Sequence, residues 1–258
     1  NLYKKIFFGL HYAFSKLYKK NISKIKCIVI HEHVTWHFDK YEKFFNAKHI
    51  LVFRNPKAAV AGSIYKLRQL NQIGIVNAFQ FDHIILDMTV TFKIFKMNKK
   101  NFLILQNETM HSDFKGQLNN LCQWLDIKFE NCLLNQTFLG KEWKGESSYL
   151  AWDEVEEKPD EEYYLEKNVE SRWRKVLSKK DILIIETIFY DYMKKLNYQF
   201  DNRMSIFKKI EGYFLYFTLY LDQDTYAYSK MIMKIRNIIR KILILIFKHK
   251  VASLFKFK

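Results

Sequence analysis

The chain has 258 residues, 49% of them hydrophobic, with 7 Gly and 2 Pro; it can bury a sizeable core, and a disordered or low-complexity class is excluded. Lys and Arg number 43 against 27 Asp and Glu, and the resulting +16 points to anionic partners without identifying one. Cys27, Cys122 and Cys132 lack the spacing of a zinc site and read as small buried hydrophobes.

In chain order, residues 1–20 pair apolar and aromatic positions with lysines at helical spacing, which predicts a helix packed by one face. Ile25 to Ile30 (IKCIVI) is a buried-strand candidate ending in His31-Glu32-His33, and residues 36–46 read as a helix. His49 to Phe53 follows as a short β-rich run of the kind buried on both faces. These pieces predict a βαβ unit, parallel and right-handed. Arg54-Asn55-Pro56 ends the strand, and Lys57 to Leu70 predicts a helix with Pro in its first turn. A longer helical zone covers 75–98, then a strand, Asn101 to Gln106, and an amphipathic helix, Asp113 to Leu125.

Between Asp153 and Glu170 stand nine acidic residues, a run that reads as a solvated face. Ile210 to Leu221 is dense in aromatics, and residues 229–258 hold nine Lys and Arg with no acid. There Ile232, Ile235, Ile239, Ile242 and Ile246 follow helical spacing, while Lys230, Lys234, Asn237 and Lys241 take the opposite face. Such a basic amphipathic helix suits anionic lipid, the parent domain or a partner chain. No apolar run reaches the ~18 residues of a membrane span. The chain is therefore expected to be cytoplasmic, with peripheral membrane contact or self-association through 229–258. Nucleic acid is not an expected partner, since only net charge favours it and no aromatic–basic recognition motif is present.

The strongest local signal is the strand, turn and helix start around Arg54. Free backbone N–H groups and the helix dipole favour an anion there, and a guanidinium fork suits a phosphate. The stretch resembles the nucleotide-binding motif of sulfotransferases that use 3′-phosphoadenosine 5′-phosphosulfate (PAPS), strand-R-[DN]-P followed by a Ser. Arg54, Asn55 and Pro56 match; Gly62 stands at the position of the family's Ser, and Ser63 follows it. NFLILQNETM is similar to the family's strand ending in Y-E-[DT]-[LM], with Glu108, Thr109 and Met110 in place. FKGQLNNLCQWLDI resembles the helix that runs into F-L-G-[IL], and WKGESS (143–148) the W-x-G-[NE]-S-S segment. The stretch from Asn168 to Tyr198 resembles the closing R-W-[RK]-x-x-L helix and L-G-Y turn, with Asn197 where Gly is usual.

This resemblance, covering about residues 25–200, implies a fold and a chemistry. The fold is α/β: a short parallel sheet of P-loop type flanked by helices, with a helical C-terminal extension. Residues 1–205 would form the sulfotransferase-like domain and 206–258 the basic amphipathic extension. The family's Gly-rich phosphosulfate loop should precede Arg54, but none of the 53 residues before it carries one, so an N-terminally truncated domain is expected. The implied activity is sulfuryl transfer from PAPS to a hydroxyl or amine of a carbohydrate or glycolipid acceptor. A non-catalytic relic of the fold, acting at membranes or on proteins, is the alternative. Arg54 with Ser63 or Gly62 would hold the 3′-phosphate, and Arg172 and Arg174, flanking Trp173, would close over the nucleotide. A general base is needed, which suits a residue titrating near neutrality. His31 lies at the family-like spacing from Arg54, with His33 and Glu32 as rivals. No metal is implied.

Overall fold

A computed structural model of the protein describes residues 2–17, 21, 28–31, 38–45, 47–69, 77–135, 137–138, 141–142, 172–219, 238–239 and 241–246. Its described elements are mostly helical around one short parallel sheet, an α/β arrangement in the general sense. Helix α1 (Leu2–Leu17) and α2 (Phe38–Phe44) precede strand β1 (His49–Phe53). Helices α3 (Pro56–Gln69) and α4 (Asn77–Lys96) then carry the chain to β2 (Phe102–Gln106). The two strands pair in parallel, from His49 opposite Phe102 to Phe53 opposite Gln106. Parallel pairing requires a long crossover, and the two helices supply it.

Local chemistry accounts for most of these boundaries. Asn55 caps α3: its Oδ1 accepts the Lys57 N–H at 3.0 Å, and its carbonyl accepts the Ala59 N–H at 2.9 Å. Pro56 takes the first helical position, where a missing N–H costs nothing. After the short α5 (Asn107–Ser112), Asp113 caps α6 (Phe114–Leu125) through the Gly116 N–H at 3.0 Å. A small hairpin of β3 (Thr137–Phe138) and β4 (Lys141–Glu142) follows. Ser178 and Asp181 form a reciprocal capping box at the start of α7 (Lys179–Ile188).

Helix α7 is the centre of the core. Ile182 to Ile188 are seven consecutive buried residues, too many for a helix with any solvent face over that stretch. Beyond α8 (Tyr190–Lys195), α9 (Ile206–Leu219) crosses α7 at Gly212. A Cβ at that position would stand 1.9 Å from Thr187 Oγ1 and 2.8 Å from Thr187 Cβ, so only glycine admits the crossing. Tyr216 on α9 is fully buried and meets Phe81 of α4 edge-on at 6.0 Å between ring centroids. The core therefore runs across residue 206, where the helical extension was expected to begin.

Several sequence expectations are corrected here. Residues 28–30 form no strand, so β1 finds its partner in β2 instead; residues 25–27 lie outside the described residues. In β1, Leu51 and Phe53 are buried while Ile50 and Val52 are exposed, so one face of the strand is covered rather than both. Cys122 is buried as expected, but Cys132 is exposed, and Cys27 lies outside the described residues. In the helical residues 241–246, Lys241 is only 1% exposed and donates to the Tyr216 carbonyl at 2.6 Å. Ile238, Ile239, Ile242, Leu243 and Ile246 are exposed. The helix thus turns this lysine inward. Among the described residues, no helix is long and apolar enough to cross a membrane.

Candidate functional site

The C-terminal ends of β1 and β2 lie side by side, and the residues that follow each strand meet there. Arg54 follows β1. Its N–H donates to the Tyr192 hydroxyl at 3.3 Å, and that hydroxyl donates to the Arg54 carbonyl at 2.9 Å. The backbone of Arg54 is thereby held in both directions by one side chain of α8. Its side chain is exposed, and its guanidinium has no hydrogen-bond acceptor or ion-pair partner among the described residues. The fork lies against α3: a Cβ built on Gly62 would stand 3.8 Å from both Nη1 and Nη2.

Glu108, the residue after the first position of α5, ties the two strand ends together. Its Oε1 accepts the Asn55 N–H at 2.7 Å, and its Oε2 accepts the Tyr198 hydroxyl at 3.1 Å. Gln106 adds a third link, its Nε2 donating to the Leu196 carbonyl at 3.1 Å. Tyr192 and Tyr198 stack in parallel, 6.0 Å between centroids. Burial pushes the Tyr198 hydroxyl well above the ordinary tyrosine value; Glu108, Tyr192 and the hydrogen bond to Glu108 act in the same direction, and Arg54 opposes them. Burial also drives Tyr192 upward, against the opposing hydrogen bond donated by the Arg54 N–H and with Glu108 and Asp87 adding to it. Both hydroxyls therefore remain neutral donors rather than bases.

The position of Tyr198 has a local cause. Asn197 has φ 58°, the left-handed conformation, and the Tyr198 N–H returns to the Met193 carbonyl at 2.9 Å to close the end of α8. Asn is among the few residues that tolerate this geometry, which explains why it can stand where a glycine is usual in the resembling motif.

Beneath this turn lies a buried ionic cluster that the sequence did not announce. Lys57, 1% exposed, donates to Glu186 Oε1 (3.1 Å), the Gln199 carbonyl (2.8 Å) and Asp201 Oδ2 (2.5 Å), with its ammonium 4.5 Å from the centre of the Trp173 ring. Glu186 is wholly buried and also accepts the Asp201 N–H, the Asn202 N–H and the Asn202 Nδ2 at 2.6, 3.1 and 2.7 Å. Arg174 pairs with Asp201 and stacks on Trp173 at 4.3 Å. Burial raises the Asp201 carboxyl, but hydrogen bonds from Lys57 and Arg174 outweigh it and hold the group below its ordinary value. The one available signal was Lys57 at the second position of a helix whose first turn holds no acid.

The sequence-predicted residues thus separate into three groups. Arg54 and Gly62 come together, with Glu108 bracing the same turn. Ser63 lies on α3 and Arg172 begins a 3₁₀ turn (Arg172–Lys175), without a described side chain in either case; Arg174 faces Asp201. His31 is exposed in irregular backbone, and Glu32, His33 and the WKGESS segment lie outside the described residues. Among the described residues, no group of three or more His, Cys, Asp or Glu is placed to hold a metal ion. Compared with known proteins, the chain matches no family model, no curated protein and no solved structure.

Proposed function

We propose that the ends of β1 and β2 bind the 3′-phosphate of PAPS, and that the chain is a PAPS-dependent sulfotransferase domain of P-loop type. The observation that carries this reading is Arg54: its backbone is clamped by Tyr192, while its exposed guanidinium, held against Gly62, has no acceptor among the described residues. A planar fork positioned in this way suits two phosphate oxygens at once. The capped start of α3 at Asn55 and Pro56 supports the same anion through its dipole.

Position 62 lies beside the fork, so the backbone of Gly62 would border the phosphate, with Ser63 next to it in the chain. Arg174 would act by holding Trp173 and Asp201 in place, and Arg172 remains the candidate for a contact to the nucleotide. PAPS would supply the sulfuryl group for a hydroxyl or amine acceptor on a carbohydrate or glycolipid. His31, with His33 and Glu32 as rivals, would take the acceptor's proton.

The test is calorimetric titration with adenosine 3′,5′-bisphosphate and with adenosine 5′-phosphate, which lacks the 3′-phosphate. Arg54→Ala should weaken the bisphosphate by about 1.5–3 kcal/mol, roughly 10- to 150-fold in Kd, and leave the monophosphate nearly unchanged. Arg54→Lys should recover part of the loss, and Gly62→Ser should tighten the bisphosphate by adding a hydroxyl beside the fork. Equal losses for both nucleotides would make Arg54 a support of the fold. No binding of either nucleotide to the parent chain would sink the reading.

A further inference from the structure

Helix α1 carries an apolar stripe that nothing described covers. At about 100° per residue, Leu2, Ile6, Leu10, Ala13 and Leu17 fall within an arc of about 80°. Leu2, Ile6, Leu10 and Leu17 are 70, 50, 67 and 76% exposed. The helix meets the described body from its other side, where Phe7 and Phe8 face Phe45 at 4.9 and 6.2 Å between centroids. The stripe thus points away from the contact that holds α1, along a helix about 24 Å long. Lys5 and Lys16 border it, Lys4 lies behind, and α1 contains no acidic residue.

We propose that α1 lies in the plane of an anionic lipid surface, with this stripe entering the boundary between headgroups and acyl chains. The composition suits an interfacial helix: an aliphatic stripe, lysines along one edge of it, aromatic residues elsewhere around the helix, and no acid to repel phosphate. Charge decides between the two plausible occupants. A second copy of this chain would bring another +16 toward a basic helix, whereas an anionic bilayer supplies the complement. Residues 229–258, with eight Lys and Arg besides the buried Lys241 and no acid among them, carry charge of the same sign. The surface is separate from the Arg54 turn, and its test does not depend on nucleotide binding.

The full chain is floated with vesicles of phosphatidylcholine alone and of phosphatidylcholine mixed with phosphatidylserine. It should bind the mixed vesicles, bind the neutral ones weakly, and detach as salt is raised. Ile6→Ser combined with Leu10→Ser should lower the partition coefficient by about tenfold or more. Changing Lys4, Lys5 and Lys16 to Gln should weaken only binding to the mixed vesicles. These side chains are exposed, so circular dichroism and thermal melting should match the parent in both variants. Failure of the parent to float with mixed vesicles overturns the proposal. Unchanged flotation of the double serine variant also overturns it, since charge elsewhere would then suffice. A concentration-dependent dimer in sedimentation velocity, abolished by the serine pair while vesicles go unbound, would make a second copy the occupant.

Discussion

Lys57→Met is the sharpest test of how this fold is held. The substitution keeps an unbranched side chain of similar length but removes the ammonium, with its contact to the Trp173 ring, leaving Glu186 buried without its counter-ion. Removing one partner of a buried pair costs about 3–5 kcal/mol. Glu186 retains three donors, the N–H groups of Asp201 and Asn202 and the Asn202 amide, which places the expected loss near the lower end, about 3 kcal/mol. Asp201 is partly open to water, so losing its contact adds at most about 1 kcal/mol. Against a total stability of about 5–15 kcal/mol the change is large. Urea unfolding followed by circular dichroism should show the midpoint falling by about 1 M or more at an unchanged slope. Adding Glu186→Gln should recover part of the loss, because a neutral amide no longer strands a charge and still accepts hydrogen bonds. A loss below about 1 kcal/mol, or no recovery from Glu186→Gln, would refute the reasoning.

Three further outcomes follow from named contacts. Gly212→Ala should lose about 1–3 kcal/mol by forcing α7 and α9 apart, with partial recovery when Thr187→Ala removes the nearest atom; an unchanged melting temperature would show that the crossing is loose. Asn197→Ala should cost about 1–2 kcal/mol because of its positive φ, and Asn197→Gly close to nothing, both measured by thermal melting. Because the Asp201 carboxyl lies below its ordinary value of 3.8 when folded, its contribution is complete above that pH and is lost as pH falls through the folded value. The stability gap between the parent and Asp201→Asn should therefore be constant near neutrality and close in acid; a gap that persists at the acid end would mean the carboxylate charge is not its cause.

The local layer of the structure was legible in the residues themselves. A β-rich run bounded by Arg54-Asn55-Pro56 became β1, and the capped proline became the start of α3, because turn chemistry and capping act within a few residues. The strand over 101–106 and the helix over 113–125 were legible for the same reason, whereas the link between Arg54 and position 62 came from the resemblance to the sulfotransferase motif. Which face is covered, and by what, depends on packing between distant segments. Periodicity assigned Lys241 and the isoleucines to opposite sides of a helix, yet the Tyr216 carbonyl takes the lysine and leaves Ile239, Ile242 and Ile246 open. An apolar run at 25–30 looked like a strand, but residues 28–30 lie outside the sheet, since a strand exists only where a neighbour completes its hydrogen bonds. Lys57 and Glu186 read as ordinary charged residues of two helices 129 positions apart. Their pairing is a property of how α3 and α7 pack, because a buried charge is tolerable only where the fold brings its counter-ion within reach.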